Sequence, residues 1–152
     1  MYVDPRGPRF GAAVTSLVLA AVLLTGSGWL LAAQAVVFAL GALGGLRFSP
    51  YGLVFRAVVR PRLEPPAQLE AAAPPRFAQG VGFAFAVAGA IGYLSGVTAL
   101  GVVAAAFALG AAFLNAAFDF CLGYEVHLRL TRLLGRPAVR YVTNNRRREA
   151  HA

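Results

Sequence analysis

Charge is scarce in this chain, and the kinds of charge are fewer still. Of 152 residues, 13% are charged and 59% hydrophobic, with a mean hydropathy of +0.66, which is too oily for a soluble domain. Lysine is missing, so all 14 basic residues are arginines. A single cysteine excludes an internal disulfide framework. Short arginine clusters without lysine make a poor phosphate-backbone footprint, so no nucleic-acid partner is expected. The most informative absence is local: from Phe10 to Leu46, and again from Phe77 to Phe118, there is no aspartate, glutamate, histidine, lysine or arginine.

Each uncharged tract is too long for one membrane crossing, since about 20 apolar helical residues span the hydrocarbon core. Thr25-Gly26-Ser27-Gly28 breaks the first tract and Tyr93-Leu94-Ser95-Gly96 the second, with the small and polar residues that end helices. The pattern predicts an all-α membrane protein with four transmembrane helices, at about 10–26, 29–46, 77–94 and 98–120. Residues 1–134 form one such domain and 135–152 a basic tail. The opening reads as a hairpin rather than a cleaved leader, because a second apolar stretch follows at once.

Every arginine lies outside the two tracts, and the net charge of +8 therefore reads first as a topology signal. Cytoplasmic loops carry the excess of basic residues, so both termini and the 47–76 segment are expected in the cytoplasm of a bacterial cell, below its inner membrane. Anionic lipid headgroups are the natural partner of these arginines, at about 1 kcal/mol each near the surface. Ser49-Pro50 begins a helix over 50–60 whose Tyr51, Val54, Phe55, Val58 and Val59 share a face, with Arg56 and Arg60 opposite. It is expected to lie in the interface, anchored by Tyr51, Phe55, Arg56 and Arg60. Five prolines between Pro61 and Pro75 make a stiff connector.

The halves also look alike. Pro8-Arg9-Phe10 recurs as Pro75-Arg76-Phe77, and Phe38-Ala39-Leu40-Gly41 as Phe107-Ala108-Leu109-Gly110, which predicts two parallel-repeat hairpins. Small-residue steps at Gly41 and Gly45, at Gly82, Ala86 and Ala90, and at Ala104, Ala108, Ala112 and Ala116 let backbones approach, within one bundle or between copies in a homo-oligomer.

Polar and reactive residues gather where the fourth helix leaves the second tract: Asn115, Asp119, Cys121, Tyr124, Glu125 and His127, with Gln34 as a further interior candidate. Asp119 stands 21 residues beyond Thr98, about 31 Å along a helix, which brings it to the interface and to water. Beyond it, Glu125 and Arg129 pair at helical spacing, Leu130, Leu133 and Leu134 continue the pattern, and Gly135 with Pro137 stops it. Cys121 is a weak catalytic candidate. It fits a small packing residue as well as a thiol, and with Glu125 and His127 it does not complete a metal shell. No cofactor signature is present.

Several short motifs occur in order: Val3-Asp4-Pro5-Arg6, Phe48-Ser49-Pro50-Tyr51-Gly52, Arg60-Pro61-Arg62-Leu63, Pro74-Pro75-Arg76-Phe77 and Phe120-Cys121-Leu122-Gly123. Through them the chain, from Val3 to about Leu134, resembles the bacterial membrane protein family catalogued as domain of unknown function 4395. The resemblance implies no activity. It implies a second cysteine three residues after Cys121, where this chain has Tyr124, and a setting beside cytoplasmic sulfur-transfer or thioredoxin-like proteins. Three functions stay open. A membrane-embedded binding or scaffold subunit needs no reactive constellation. A small permease or channel, acting as an oligomer, needs a path lined by Gln34, Asn115 and Asp119. A thiol redox enzyme needs a second redox group for Cys121.

Overall fold

A computed structural model describes residues 2–66, 68–118, 126, 129–130, 132–134 and 142–143. Its main elements are five helices: α1 (Arg6–Thr25), α2 (Gly28–Leu43), α3 (Pro50–Val54), α4 (Ala73–Leu94) and α5 (Thr98–Phe118). The chain of α3 runs on through a π-helical turn, Phe55–Val59, and a 3-10 turn, Arg60–Arg62. Val126, Arg129, Leu130, Arg132 and Leu133 are also helical. α1, α4 and α5 are long and apolar enough to cross a membrane. α2 has 16 residues, about 24 Å of helix, and is shorter than that standard.

Local chemistry sets the helix ends. Asp4 accepts the backbone N–H of Arg6 at 3.0 Å, satisfying one of the orphan donors of a first turn, so α1 starts at Arg6 rather than at 10. α4 starts at Ala73 rather than at 77, because Pro74 and Pro75 occupy first-turn positions where a missing N–H costs nothing. The α1–α2 turn forms where the sequence breaks. Gly26 takes the left-handed conformation (φ 66°) that closes α1, and the Ser27 hydroxyl accepts the N–H of Leu30 at 3.2 Å to open α2. α2 ends at Leu43, short of 46, because Gly44 caps it and Gly45 (φ +88°) turns the chain away.

A small sheet accompanies the helices. β1 (Tyr2–Val3), β2 (Gln68–Ala71) and β3 (Val142–Thr143) pair antiparallel in that order, with Val3 opposite Glu70 and Leu69 opposite Val142. The stiff connector between Pro61 and Pro75 thus supplies the central strand, paired on one side with Tyr2–Val3 and on the other with Val142–Thr143. Its approach begins extended at Leu63 (φ −112°, ψ 147°) and runs through Pro65 and Pro66, before each of which helical backbone is disfavoured.

The bundle core is thin, with five alanines, Ala35, Ala86, Ala90, Ala105 and Ala108, packed around Leu19, Val22, Leu31 and Phe38. α2 packs along α4 in one antiparallel register. Leu31 sits at Gly89, Phe38 at Gly82, Gln79 at Gly41, and Tyr93 with Leu94 at Gly28. A Cβ at these four glycines would come within 2.7, 2.9, 2.8 and 2.9 Å of those side chains respectively. α4 meets α5 more closely still, at Gly92 and Gly101. On α1 the buried set is Ala12, Thr15, Leu19 and Val22, a stripe of alternating three- and four-residue steps. Large apolar side chains point outward, among them Leu24 at 88% and Trp29 at 75% exposure, the pattern of a bundle whose solvent is lipid.

A Cβ at Gly92 would lie 2.6 Å from the backbone nitrogen of Gly101, where no side chain can rotate aside. Gly92→Ala is therefore expected to destabilise the bundle by about 1–3 kcal/mol. Gly80→Ala, with nothing within 4 Å, is expected to be neutral or to stabilise by up to about 1 kcal/mol. Thermal unfolding in detergent, followed by far-ultraviolet circular dichroism, checks the pair; equal midpoints would refute the backbone contact.

Candidate binding cavity

Two polar features lie within the bundle, and α3 helps to make the first. Gly7 and Gly11, four residues apart on α1, leave a shallow groove that Phe55 and Tyr51, four apart on the following segment, fill. A Cβ at Gly7 would lie 3.4 Å from Phe55 Cδ1, and one at Gly11 would lie 3.7 Å from Tyr51 Cβ. Phe55 is 3% exposed, and its ring stands 5.8 Å from that of Phe10. The Tyr51 hydroxyl donates to Gln34 Oε1 at 2.7 Å. Touching α1 with one part of Tyr51 and α2 with another, α3 stands between those helices, which contact each other over few residues.

The expected bilayer-facing set therefore divides. Tyr51 and Phe55 turn into the protein, because the glycine groove accepts them, and Leu53, Val54 and Val58 form the outward apolar set. Arg56 folds back to donate to the carbonyls of Leu46, at 3.5 Å, and of Arg47, holding the α2–α3 link. Arg60 stays exposed, and its charge is felt at Asp4. Burial of Asp4 pushes its pKa up, but hydrogen bonds from the Arg6 side chain and backbone, with the charges of Arg6 and Arg60, outweigh it and hold the carboxyl below its ordinary range. Arg6 also donates to the carbonyl of Glu64 at 2.9 Å, tying the start of α1 to the approach to β2. Arg76, at the head of α4, donates to the carbonyls of Ala42 at 2.9 Å and Leu43 at 3.5 Å, where a cation suits the C-terminal end of α2.

Gln34 is 2% exposed, and its Nε2 has no hydrogen-bond partner among the described residues. Gln79 Oε1, pressed against Gly41, is likewise buried without a partner among the described residues. Burial raises the pKa of Tyr51 above the ordinary 10.0, with the Gln34 hydrogen bond pulling weakly the other way, so the phenol stays protonated.

The second feature is a cavity of about 920 Å³ between α1, α4 and α5, within the size range of small-molecule sites. Its walls are apolar, with Val81, Phe85, Val102, Val103 and Phe107 prominent. Phe107 and Val103 are 65% and 53% exposed, so the wall between α4 and α5 reaches the lipid-facing surface. Of its polar groups, Arg9, Glu70 and Asn115 lie toward the end that holds the arginine-rich segments, whereas Thr15 stands midway along α1. Val102 to Asn115 spans 13 residues of α5, about 20 Å.

Of the candidates from the sequence, Asn115 lines this cavity, whereas Gln34 belongs to the α3 contact on α2 and does not. Asp119, Cys121, Tyr124, Glu125 and His127 lie outside the described residues. Thr15 escaped notice because a lone hydroxyl in an apolar stretch gives no signal of its own. Its place in the stripe with Ala12, Leu19 and Val22 is the signal that would have found it.

The family model described as "Domain of unknown function (DUF4395)" matches residues 3–132, and the chain belongs to that family. No curated protein and no solved structure matches the chain.

Tyr51→Phe strands the remaining polar atom of a buried amide and is expected to destabilise by about 1–3 kcal/mol. Adding Gln34→Leu removes the stranded amide and is expected to recover much of the loss. The wild-type advantage over Tyr51→Phe is full below pH 10.0 and fades as pH rises through the elevated folded-state value, because ionisation opposes burial. Thermal midpoints of the three proteins across alkaline pH check this; an unchanged midpoint in Tyr51→Phe would refute the contact.

Proposed function

We propose that this member of a family without an assigned activity is a membrane-embedded binding protein, and that the cavity between α1, α4 and α5 is its site. In this reading four helices span the bacterial cell membrane as two parallel-repeat hairpins, with both termini and the 47–76 segment in the cytoplasm. The fourth span is α2. Its register against α4, from Gly28 beside Leu94 to Gly41 beside Gln79, runs it alongside a helix of spanning length.

Packing supports the repeat. A twofold axis that exchanges the halves exchanges α1 with α4 and α2 with α5, so α2 on α4 has α5 on α1 as its counterpart; both pairs pack closely. Aligning Phe10 with Phe77 sets the buried stripe of α1, Ala12, Thr15, Leu19 and Val22, against Gln79, Gly82, Ala86 and Gly89 of α4. Aligning Phe38 with Phe107 sets Gly41 against Gly110.

The cavity is the observation that carries the proposal, and the repeat accounts for it. In the first pair, Phe38 fills the space at Gly82 and Gln79 the space at Gly41. In the second, Thr15 stands where Gly82 would, so Phe107 finds no hole and lies outward, stacked on Phe85 at 6.1 Å. Ala12 stands where Gln79 would, and Gly110 has nothing within 4 Å. The two plugs of one helix contact are missing from the other. The remaining space keeps a polar end and an open apolar wall, which suits binding from the bilayer.

Gly110→Phe, which fills the cavity without a backbone clash, is expected to abolish a non-covalent lipid adduct that the wild type retains in native mass spectra. Gly80→Phe, open but outside the cavity, is expected to keep it. No adduct in the wild type, or an equal one in all three, would refute the site. Single cysteines at Ser27 and Ser95 in a Cys121→Ser background are expected to react with an impermeant maleimide on intact spheroplasts, and one at Glu64 only after permeabilisation. Labelling of Glu64→Cys on intact spheroplasts would reverse the topology.

A further inference from the structure

Resting on the cavity as a binding site, we infer that its ligand is a lipid-soluble molecule with an oxygen set within its apolar body, and that the Thr15 hydroxyl recognises that oxygen by donating to it.

A hydroxyl on a membrane helix can close back on the carbonyl four residues before it. The other two hydroxyls of α1 do so: Ser16 donates to the Ala12 carbonyl at 2.8 Å, and Thr25 to that of Ala21 at 2.8 Å. Thr15 does not, and among the described residues its hydroxyl has no hydrogen-bond partner. Yet Thr15 is only 4% exposed, and it lines the cavity. A buried hydroxyl left unpaired costs about 1–3 kcal/mol, which valine, with the same branched shape, would not incur. An oxygen brought into the cavity recovers that cost, and in a site of low dielectric the hydrogen bond is stronger than in water.

Depth sets where on the ligand the oxygen must be. Thr15 stands nine residues from Arg6 at one end of α1 and ten from Thr25 at the other, about 14 and 15 Å of helix. A head group held at either membrane surface falls short of it. The oxygen that reaches Thr15 is therefore carried inside the apolar part of the ligand, as a carbonyl, an ester or a hydroxyl. Phe38, Phe85 and Val102 give that part apolar walls, and the side open toward lipid at Val103 and Phe107 admits it without its leaving hydrocarbon. Binding of that kind involves no covalent step.

Dinonyl ketone and nonadecane provide the test. They are chains of equal length that differ only by a carbonyl in place of the middle methylene, and without a head group each is free to slide until its centre meets Thr15. Both are offered to the delipidated full-length protein in detergent, with the bound fraction of each read by native mass spectrometry. The ratio of bound ketone to bound alkane is expected to fall about three- to tenfold from the wild type to Thr15→Val. Unequal solubility of the two chains in the micelle is common to both proteins and cancels. Thr15→Val is also expected to melt no lower than the wild type, because the hydroxyl it removes has no partner to lose. An equal ratio in the two proteins, or a lower melting midpoint in Thr15→Val, would overturn the inference while leaving the cavity in place. Binding of neither chain that Gly110→Phe can block would instead remove the site itself.

Discussion

Glycines bring α2 and α4 close enough for side chains to seat directly against the opposing backbone, and most of the remaining architecture follows from that approach. In lipid there is little hydrophobic reward for bringing two helices together, so association relies on dispersion at short range. Leu31 at Gly89 and Phe38 at Gly82 supply it from one side, and Gln79 at Gly41 and Leu94 at Gly28 from the other. Four such seats in one antiparallel register fix the alignment of the two helices. With the register fixed, α2 ends beside the start of α4, where Arg76 can bond its last carbonyls, and Gln34 lies at the level that Tyr51 reaches.

The first half of the chain is opened by its own insertion. α4 and α5 touch backbone to backbone at Gly92 and Gly101, whereas α1 and α2 contact each other over few residues and α3 touches both. Phe55 and Tyr51 replace the helix–helix contact that the second half makes. Gln34 pays part of the cost, since one end of its amide is satisfied by Tyr51 and the other is not. A buried amide left half-satisfied costs about 1–3 kcal/mol, so α3 must gain more than that from the glycine groove of α1. The segment that reads as an interfacial anchor is thus also a structural part of the bundle.

How much of this could be read from the residues alone depends on which physical signal was local. The absence of charge over two long tracts is a property of the chain itself, and the helix-breaking turns at Gly26 and Ser27 lie where it indicates. Small residues likewise mark contact faces: Gly41, Gly82, Ala86, Ala90, Ala104 and Ala108 all lie at helix contacts. Gly45 shares the Gly41 spacing but leaves the helix, because a left-handed residue and a packing residue are both glycine in the sequence. The split of the α3 face was illegible for a related reason. A period of 3.6 finds the apolar side of a helix but not whether lipid or a neighbouring groove covers it, and Gly7 and Gly11 decide that from another helix. The strand pairing of Val3, Leu69 and Val142 joins segments far apart in the chain, a relation that short-range pattern does not carry.

The distribution of polar groups bears on transport as well as binding. A solute path needs neighbouring groups that pass hydrogen bonds from one to the next along the membrane normal. Here Gln34 bonds Tyr51 on one side of α2, away from the cavity, while Gln79, pressed against Gly41, and Asn115 both line it. A site for a lipid chain asks for less, namely one polar end and a long apolar wall. On the proposed repeat, Thr15 answers to Gly82 and Ala12 to Gln79, so one helix contact keeps its plugs and holds the bundle together while its counterpart, without them, leaves the cavity open.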